Sequence, residues 1–312
     1  MNDALPIAFD PASLIALNVI MACMMFGVSL SLRLDDFKRI ALAPVAPLAG
    51  LFAQFLLLPL ATCLLTWALA IEPELALGML LVASCPGGSF SNIMTWLGRG
   101  SVAVSVSMTA VSSLAATVMT PLNFALYGWL NPYTRDYLTQ ISLEPGSILL
   151  LVLLVLAVPL ILGMTAGRRF PRLVARSEKP LRMVSLLVFL GFVAIAFSNN
   201  LDLFVERFHS FFWLVVGHNL LALSLGYGMG RLLKLPVADR RAVTMEVGIQ
   251  NSGLGLVILF TFFPQAGGMM LITAFWGVWH LVSGITLSQI WARLPVPDTP
   301  VSTLSRAQEQ QP

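Results

Sequence analysis

Glu246 stands in a run that is otherwise uncharged from Ala242 onward, RRAVTMEVGIQNSGLGLVILF, and the residues after it are glycines, two amides and a hydroxyl. A second apolar run, ELALGMLLVASCPGGSFSNIMTWLGRG, carries Pro86, Gly87 and Gly88, then Ser89, Ser91 and Asn92. In SVAVSVSMTAVSS, Ser105, Thr109 and Ser112 are spaced i, i+4, i+7 and share one helix face. Gln54 interrupts LFAQFLLLPL. Hydroxyls, amide oxygens, carbonyls freed from a helix and one carboxylate are the ligands of a hard cation. A single carboxylate among neutral oxygens suits a monovalent ion better than calcium. Taken one at a time, these polar residues are also ordinary hydrogen-bond glue between helices. GGSFSNI lacks the Gly-x-Ser-x-Gly spacing of a nucleophile elbow, so serine hydrolysis is poorly supported. Cys23, Cys63 and Cys85 have no metal-like spacing, which predicts neither a disulfide nor a zinc site.

The elements that must hold these groups are membrane helices. Of 312 residues, 57% are hydrophobic and only 11% charged, and the mean hydropathy is +0.85, which excludes an ordinary globular protein. Apolar runs of spanning length recur throughout. They predict an all-α polytopic membrane protein with nine spans, at about 13–32, 41–70, 75–98, 101–129, 147–166, 183–200, 209–230, 242–263 and 268–292. The start, MNDALPIAFDPA, lacks the basic n-region of a cleavable leader. With the N-terminus outside, 16 of the 18 Lys and Arg fall on the inner side, leaving only Arg135 and Arg207 outside. The positive-inside rule then places the C-terminus in the cytoplasm and the chain in the cell's inner, or plasma, membrane. The polar tail, 295–312, reads as disordered. A formal charge of +3 points to no nucleic-acid partner, and its meaning lies in where the charges sit.

That topology isolates Glu246. The other fourteen of fifteen acidic residues lie in loops, termini or span ends. A charge inside a span costs about 2.5–3.5 kcal/mol on insertion scales, so such residues usually serve function. The plain alternative is a protonated glutamate bonded between helices, or one near enough to the cytoplasmic end to reach water. Pro86 with Gly87 and Gly88 should interrupt the third span, and Gly248 and Gly253 should bracket an interruption of the eighth. Irregular backbone at membrane depth persists only where protein buries it or a water-filled cavity receives it. Two interrupted spans in corresponding halves are the mark of a secondary transporter built from inverted repeats.

CPGGSFSNIMTWLGRG followed by VAVSVSMTAVSS, and TMEVGIQNSGL followed by a helix with FWGVWHLVSG, resemble the bile acid:sodium symporter family over about 25–292. The resemblance implies a single transmembrane unit made of two parts. A panel domain would comprise about 13–32 and 147–200, and a core domain about 41–130 and 209–292, with the two discontinuous helices crossing in the core. It implies two sodium ions: one at Ser91, Asn92, Ser105, Thr109 and Glu246, the other at Gln54, Glu246, Val247, Ile249 and Gln250. Substrate would lie near Ser89, Phe90, Asn251, Ser252 and His280. Bacterial members often have a further first helix, and this chain starts at the equivalent of the second. Position 281 is Leu where some relatives carry Asn, so a substrate contact differs.

A small organic anion suits the crevice physically, because half-helices starting near Gly88 and Gln250 would aim free N–H groups and positive dipole ends into it. Bile acids, pantoate-like acids and other carboxylates or sulfonates all fit. The expected function is sodium-coupled symport of such an anion, with no obligatory protein partner. A proton-coupled carrier with Glu246 as relay is the second reading, and a channel or intramembrane enzyme the third. His280 could be a proton relay, a substrate contact or an interhelical donor. His218, also within a span, is assigned no role.

Overall fold

The computed structural model describes residues 42–140, 157–199 and 201–295, with isolated positions between 19 and 30 and at 150 and 154. The described part is helical. Its elements are α1 (Val45–Ala68), α2 (Pro73–Ser84), α3 (Phe90–Leu97), α4 (Val102–Leu130), α5 (Pro132–Gln140), α6 (Val158–Arg169), α7 (Pro171–Asn199), α8 (Leu201–Leu232), α9 (Val237–Gly248), α10 (Ser252–Phe262) and α11 (Gly267–Ala292). Among the described residues, four helical segments are long and apolar enough to cross a membrane: Val45–Ala68, Val102–Leu130, Phe208–Leu232 and Gly267–Ala292. Most of the span expected at 13–32, the first part of that at 147–166 and the tail from 296 onward lie outside the described residues.

Both expected interruptions are present. The run expected as the third span folds as α2 and α3, separated at Cys85–Ser89, and the run expected as the eighth folds as α9 and α10, separated at Ile249–Asn251. The second break is tighter than expected, since Gly253 lies inside α10 and only Gly248 marks an edge. The basic stretch expected as a loop after 166 is also mostly helical. The backbone breaks only at Phe170, between α6 and α7, and Pro180 is carried inside α7. Helix α8 likewise begins at Leu201, earlier than the apolar run.

One long helix departs from α geometry where a site residue sits. In α1, Ala53–Leu57 forms a π-turn that contains Gln54. Pro59 has no N–H to offer the carbonyl four residues back, at Phe55, and Asn123 Nδ2 of α4 takes that oxygen at 2.8 Å. Glycines let the helices close on one another. A β-carbon on Gly78 of α2 would stand 3.0 Å from Met269 Cα of α11, and one on Gly226 of α8 would stand 2.9 Å from Thr244 Cα of α9. Phe26, Ser29 and Leu30 pack on α6, where Gly163 and Gly167 admit them. The buried core runs along α2, α9, α10 and the first half of α11, and α2 and α10 carry buried residues on nearly every side. That is why α2 and α10 read as uniformly apolar instead of amphipathic.

Candidate functional site

The two interruptions are bonded to each other. Gly87 and Gln250 form an antiparallel bridge in which the Gly88 N–H donates to Ile249 O at 2.7 Å and the Asn251 N–H donates to Pro86 O at 2.8 Å. Each break thus supplies partners for the amides and carbonyls that the other frees. The remaining carbonyls at the helix ends are met by side chains of neighbouring helices. Thr120 of α4 donates to Ser84 O at 2.8 Å, and Asn219 Nδ2 of α8 donates to Gly248 O at 2.8 Å. At the far end of α3, Ser288 Oγ reaches Met94 O at 2.8 Å and Arg241 Nη1 reaches Gly98 O at 2.9 Å. Discontinuous helices survive in a water-poor interior because these oxygens are satisfied.

Glu246 is fully buried directly behind this bridge. Ser91 Oγ donates to its Oε2, where Ser105 Oγ also reaches at 3.3 Å, while Thr109 Oγ1 lies 2.8 Å from Oε1. Thr95 Oγ1 donates in turn to Ser105 Oγ at 3.3 Å. The Thr109 hydroxyl has one proton and three acceptors within reach: Glu246 Oε1, Ser105 O at 3.0 Å and Asn92 Oδ1 at 3.3 Å. Ser91, Asn92, Ser105, Thr109 and Glu246 therefore form one cluster drawn from α3, α4 and α9. Ser112, on the same face of α4, instead returns its proton to Thr109 O at 3.2 Å.

Gln54, Val247, Ile249 and Gln250 form a second cluster. Gln54 Nε2 reaches Gln250 Oε1 at 3.4 Å, and Gln250 Nε2 donates to Val247 O at 2.8 Å. Ile249 O is already engaged by Gly88. Gln54 Oε1 is buried and has no partner among the described residues. No hydrogen bond among them joins Glu246 to Gln54 or Gln250, so the carboxylate faces the first cluster.

Ser89, Phe90, Asn251 and Ser252 meet where α3 and α10 begin, because the bridge sits just before both starts. Asn251 caps α10 by accepting Leu254 N–H at 3.1 Å. Ser89 and Phe90 are half-buried and Ser252 is buried. His280 is buried on α11, one turn from Gly284, whose α-carbon side faces Ile249 Cδ1. Its ring packs on Trp276 with centroids 5.3 Å apart, and Nδ1 has no partner among the described residues.

The sequence of these helices matches known transporters. The profile of the Sodium Bile acid symporter family covers residues 18–207. The chain belongs to this family. It is 32% identical over 277 residues to the Bacillus subtilis (strain 168) protein named "Uncharacterized sodium-dependent transporter YocS", a match covering 89% of this chain and 83% of that one. It is 32% identical over 277 residues to the Arabidopsis thaliana "Probable sodium/metabolite cotransporter BASS1, chloroplastic", covering 86% of this chain and 65% of that protein. The human "Sodium/bile acid cotransporter 4" is 31% identical over 242 residues, 77% of this chain and 54% of its own length. The protein is thus a multi-pass membrane transporter of a sodium-symporter family, not an enzyme.

Several residues that brace the two breaks and the helices around them were given no role from sequence. Asn219 bridges the α9 break to Ser283 of α11, whose Oγ donates to Asn219 Oδ1 at 2.6 Å. His218 is a buried connector: Trp276 Nε1 donates to Nδ1 at 3.1 Å, which leaves the Nε2 proton for Thr62 Oγ1 at 2.8 Å, and Thr62 donates to Leu58 O at 2.7 Å. The chain of donors runs one way from α11 through α8 to α1 and fixes the ring as the neutral Nε2–H tautomer. The adjacent pair His218 and Asn219 inside the apolar run LVVGHNLLALS was the available signal.

Proposed function

We propose that the protein imports a small organic anion together with sodium by alternating access, two Na⁺ for each substrate, across the inner membrane, with nine spans, N-terminus outside and C-terminus in the cytoplasm. The observation that carries the reading is the placement of a fully buried carboxylate, ringed by three hydroxyls, directly behind a backbone bridge that joins both helix breaks. One ion is held by Ser91, Asn92, Ser105, Thr109 and Glu246. Its position is favoured by the surplus of lone pairs around the single Thr109 proton. The second ion is held by Gln54, Gln250 and the carbonyls of Val247 and Ile249. The unpartnered, buried Gln54 Oε1 is what a cation there would relieve. Glu246 serves both sites, turning partly toward the second when both ions are bound.

The anion sits at the starts of α3 and α10, against Ser89, Phe90, Asn251 and Ser252, with His280 at the side. The positive ends of the two helix dipoles favour a carboxylate or sulfonate there. Sodium couples to the anion because ions on Ser91, Asn92, Gln250 and Val247 fix the bridge that aims both helix starts. The helices bearing the breaks act as the core, which moves against a panel of about 13–32 and 147–200. The packing of Phe26, Ser29 and Leu30 on Gly163 and Gly167 supports that grouping.

The test is uptake into proteoliposomes of labelled taurocholate and of labelled pantoate, with Na⁺ or K⁺ outside. Saturable uptake of either in Na⁺ and not in K⁺ is expected. Uptake equal in both cations but driven by an imposed pH gradient would assign Glu246 to a proton relay instead.

A further inference from the structure

At the basic end of the molecule, a cavity of about 320 Å³ opens between α8, α9 and α11, at the start of the helix that carries Glu246 near its end. Its wall carries two guanidiniums and no carboxylate. Arg240 lies with its Cζ 5.1 Å from the Tyr227 ring centroid, and Arg241 with its Cζ 5.7 Å from that of Trp291. Arg241 is 4% exposed and spends two N–H groups on neutral carbonyls, Gly98 O and Leu294 O. Arg240 Nε is buried and has no partner among the described residues. Gly230 of α8 admits the Arg240 stem, since a β-carbon there would meet Arg240 Cγ at 2.7 Å.

These two arginines differ from the other basic residues at this end. Arg99, Arg231 and Lys234 are exposed, which is all that a charge setting membrane orientation requires. Arg240 and Arg241 are instead held side by side against aromatic faces, next to a cavity, with no counter-charge among the described residues. Burial, then the neighbouring Arg240 and Arg99 charges, push the Arg241 pKa down. An anion in the cavity would relieve all three conditions at once: the like-charge repulsion, the desolvation and the unpaired Nε–H. Planar guanidiniums stacked on rings are suited to the forked oxygens of a phosphate. Leu294, half out in the surroundings, gives the mouth an apolar edge.

We propose that this cavity binds a phosphate-bearing anion, either the phosphodiester headgroup of an acidic phospholipid or a soluble phosphate ester. The bound group ties Tyr227 of α8 to the start of α9 and, through Arg241, to the ends of α3 and α11. It therefore braces the helix that carries Glu246 from its opposite end.

The experiment uses the purified full chain in neutral detergent. Retained lipid is counted by native mass spectrometry against added phosphatidylglycerol or phosphatidylcholine, and melting is followed with and without inorganic phosphate. Wild type should retain phosphatidylglycerol in preference to phosphatidylcholine, and Arg240→Gln should weaken that retention by about tenfold, the worth of a lost charge-assisted contact. Arg231→Gln, an exposed charge at the same end, should leave it unchanged. A Tm rise with inorganic phosphate in wild type, lost in Arg240→Gln, together with no lipid preference, assigns the site to a soluble ester. Equal lipid retention and equal phosphate response in wild type and Arg240→Gln overturn the proposal. Should Arg240→Gln elute as aggregate, Tyr227→Leu removes the stacking face and is read in the same way. None of these readouts depends on transport, so failure here leaves the sodium reading untouched.

Discussion

Gly87 lies so close to Glu246 that a β-carbon on it would stand 2.2 Å from Oε1 and 2.6 Å from Cδ. The bridge residue and the buried carboxylate therefore share one space, and the glycine is required by that contact, not by its backbone angles. The obstructed atoms are the far end of a side chain, so Gly87→Ala can be accommodated by swinging the carboxylate away from Ser91 and Thr109. We expect Gly87→Ala to fold, with a Tm near wild type, and to raise the half-saturating Na⁺ concentration for uptake by about tenfold or more, equivalent to about 1.4 kcal/mol. An unaltered sodium dependence would show that the position of the carboxylate is immaterial.

Glu246 itself offers a paired test. Glu246→Gln keeps the shape but replaces one acceptor oxygen by an NH₂, which can neither accept from the surrounding hydroxyls nor ligate a cation; Glu246→Ala removes both oxygens. Both should insert and fold, because removing a buried carboxylate removes a desolvation cost along with its hydrogen bonds. Both should lose sodium-dependent substrate binding, measured as protection by substrate in Na⁺ against K⁺. Sodium activation like wild type in the Ala variant would remove the central claim of the proposed mechanism.

Asn219 carries a stability prediction. It is buried, and its amide donates to Gly248 O at the end of α9, while its own oxygen receives Ser283. Asn219→Ala strands the buried Gly248 carbonyl, at a cost of about 1–3 kcal/mol, while the Ser283 hydroxyl keeps His280 O at 3.2 Å. We expect a clear fall in Tm in detergent. Asn219→Asp should be as damaging, because it keeps the acceptor for Ser283 but loses the donor for Gly248 O. If Asn219→Asp melts like wild type, the bond to Gly248 O does not hold the break.

The breaks and the carboxylate were legible because membrane helices make polarity and proline expensive: Pro86, the glycine pair and Glu246 stand out against lipid in a way they would not in a soluble core. The same logic located Ser91, Ser105 and Thr109, which do converge on Glu246. Edges were less legible. Gly253 was expected to flank the second break, yet helix α10 absorbs it, since a glycine near a helix start costs little once Asn251 caps the turn. The run after Gly167 read as a loop from its charges, but charge alone does not unwind a helix that lies outside the apolar layer. Asn219 and Thr120 were opaque for another reason. They serve carbonyls that become free only when breaks elsewhere in the chain are placed beside them, which is tertiary information. Arg240 and Arg241 read as topology charges, and nothing in their spacing announced the cavity they line.

The two-ion scheme has a signature in voltage. If two Na⁺ accompany one monovalent anion, each cycle carries a net charge of +1 inward, and an inside-negative potential adds about 2.3 kcal/mol per 100 mV to the driving force. Uptake at clamped potential should then grow with inside-negative voltage and rise with Na⁺ at a Hill coefficient above one. Gln54 separates the two ions, because its free Oε1 belongs only to the second cluster and lies away from the hydroxyls around Glu246. Gln54→Ala should bring the Hill coefficient down toward one while leaving the order of preference among anions intact; Ser89→Ala or Asn251→Ala should change that order with less effect on sodium. Linkage adds a symmetric requirement: whatever factor sodium contributes to anion affinity, the anion must return to sodium affinity. A wild-type Hill coefficient near one with no voltage dependence would defeat the two-ion scheme even with sodium essential, and would leave a single ion at Ser91, Asn92, Ser105, Thr109 and Glu246.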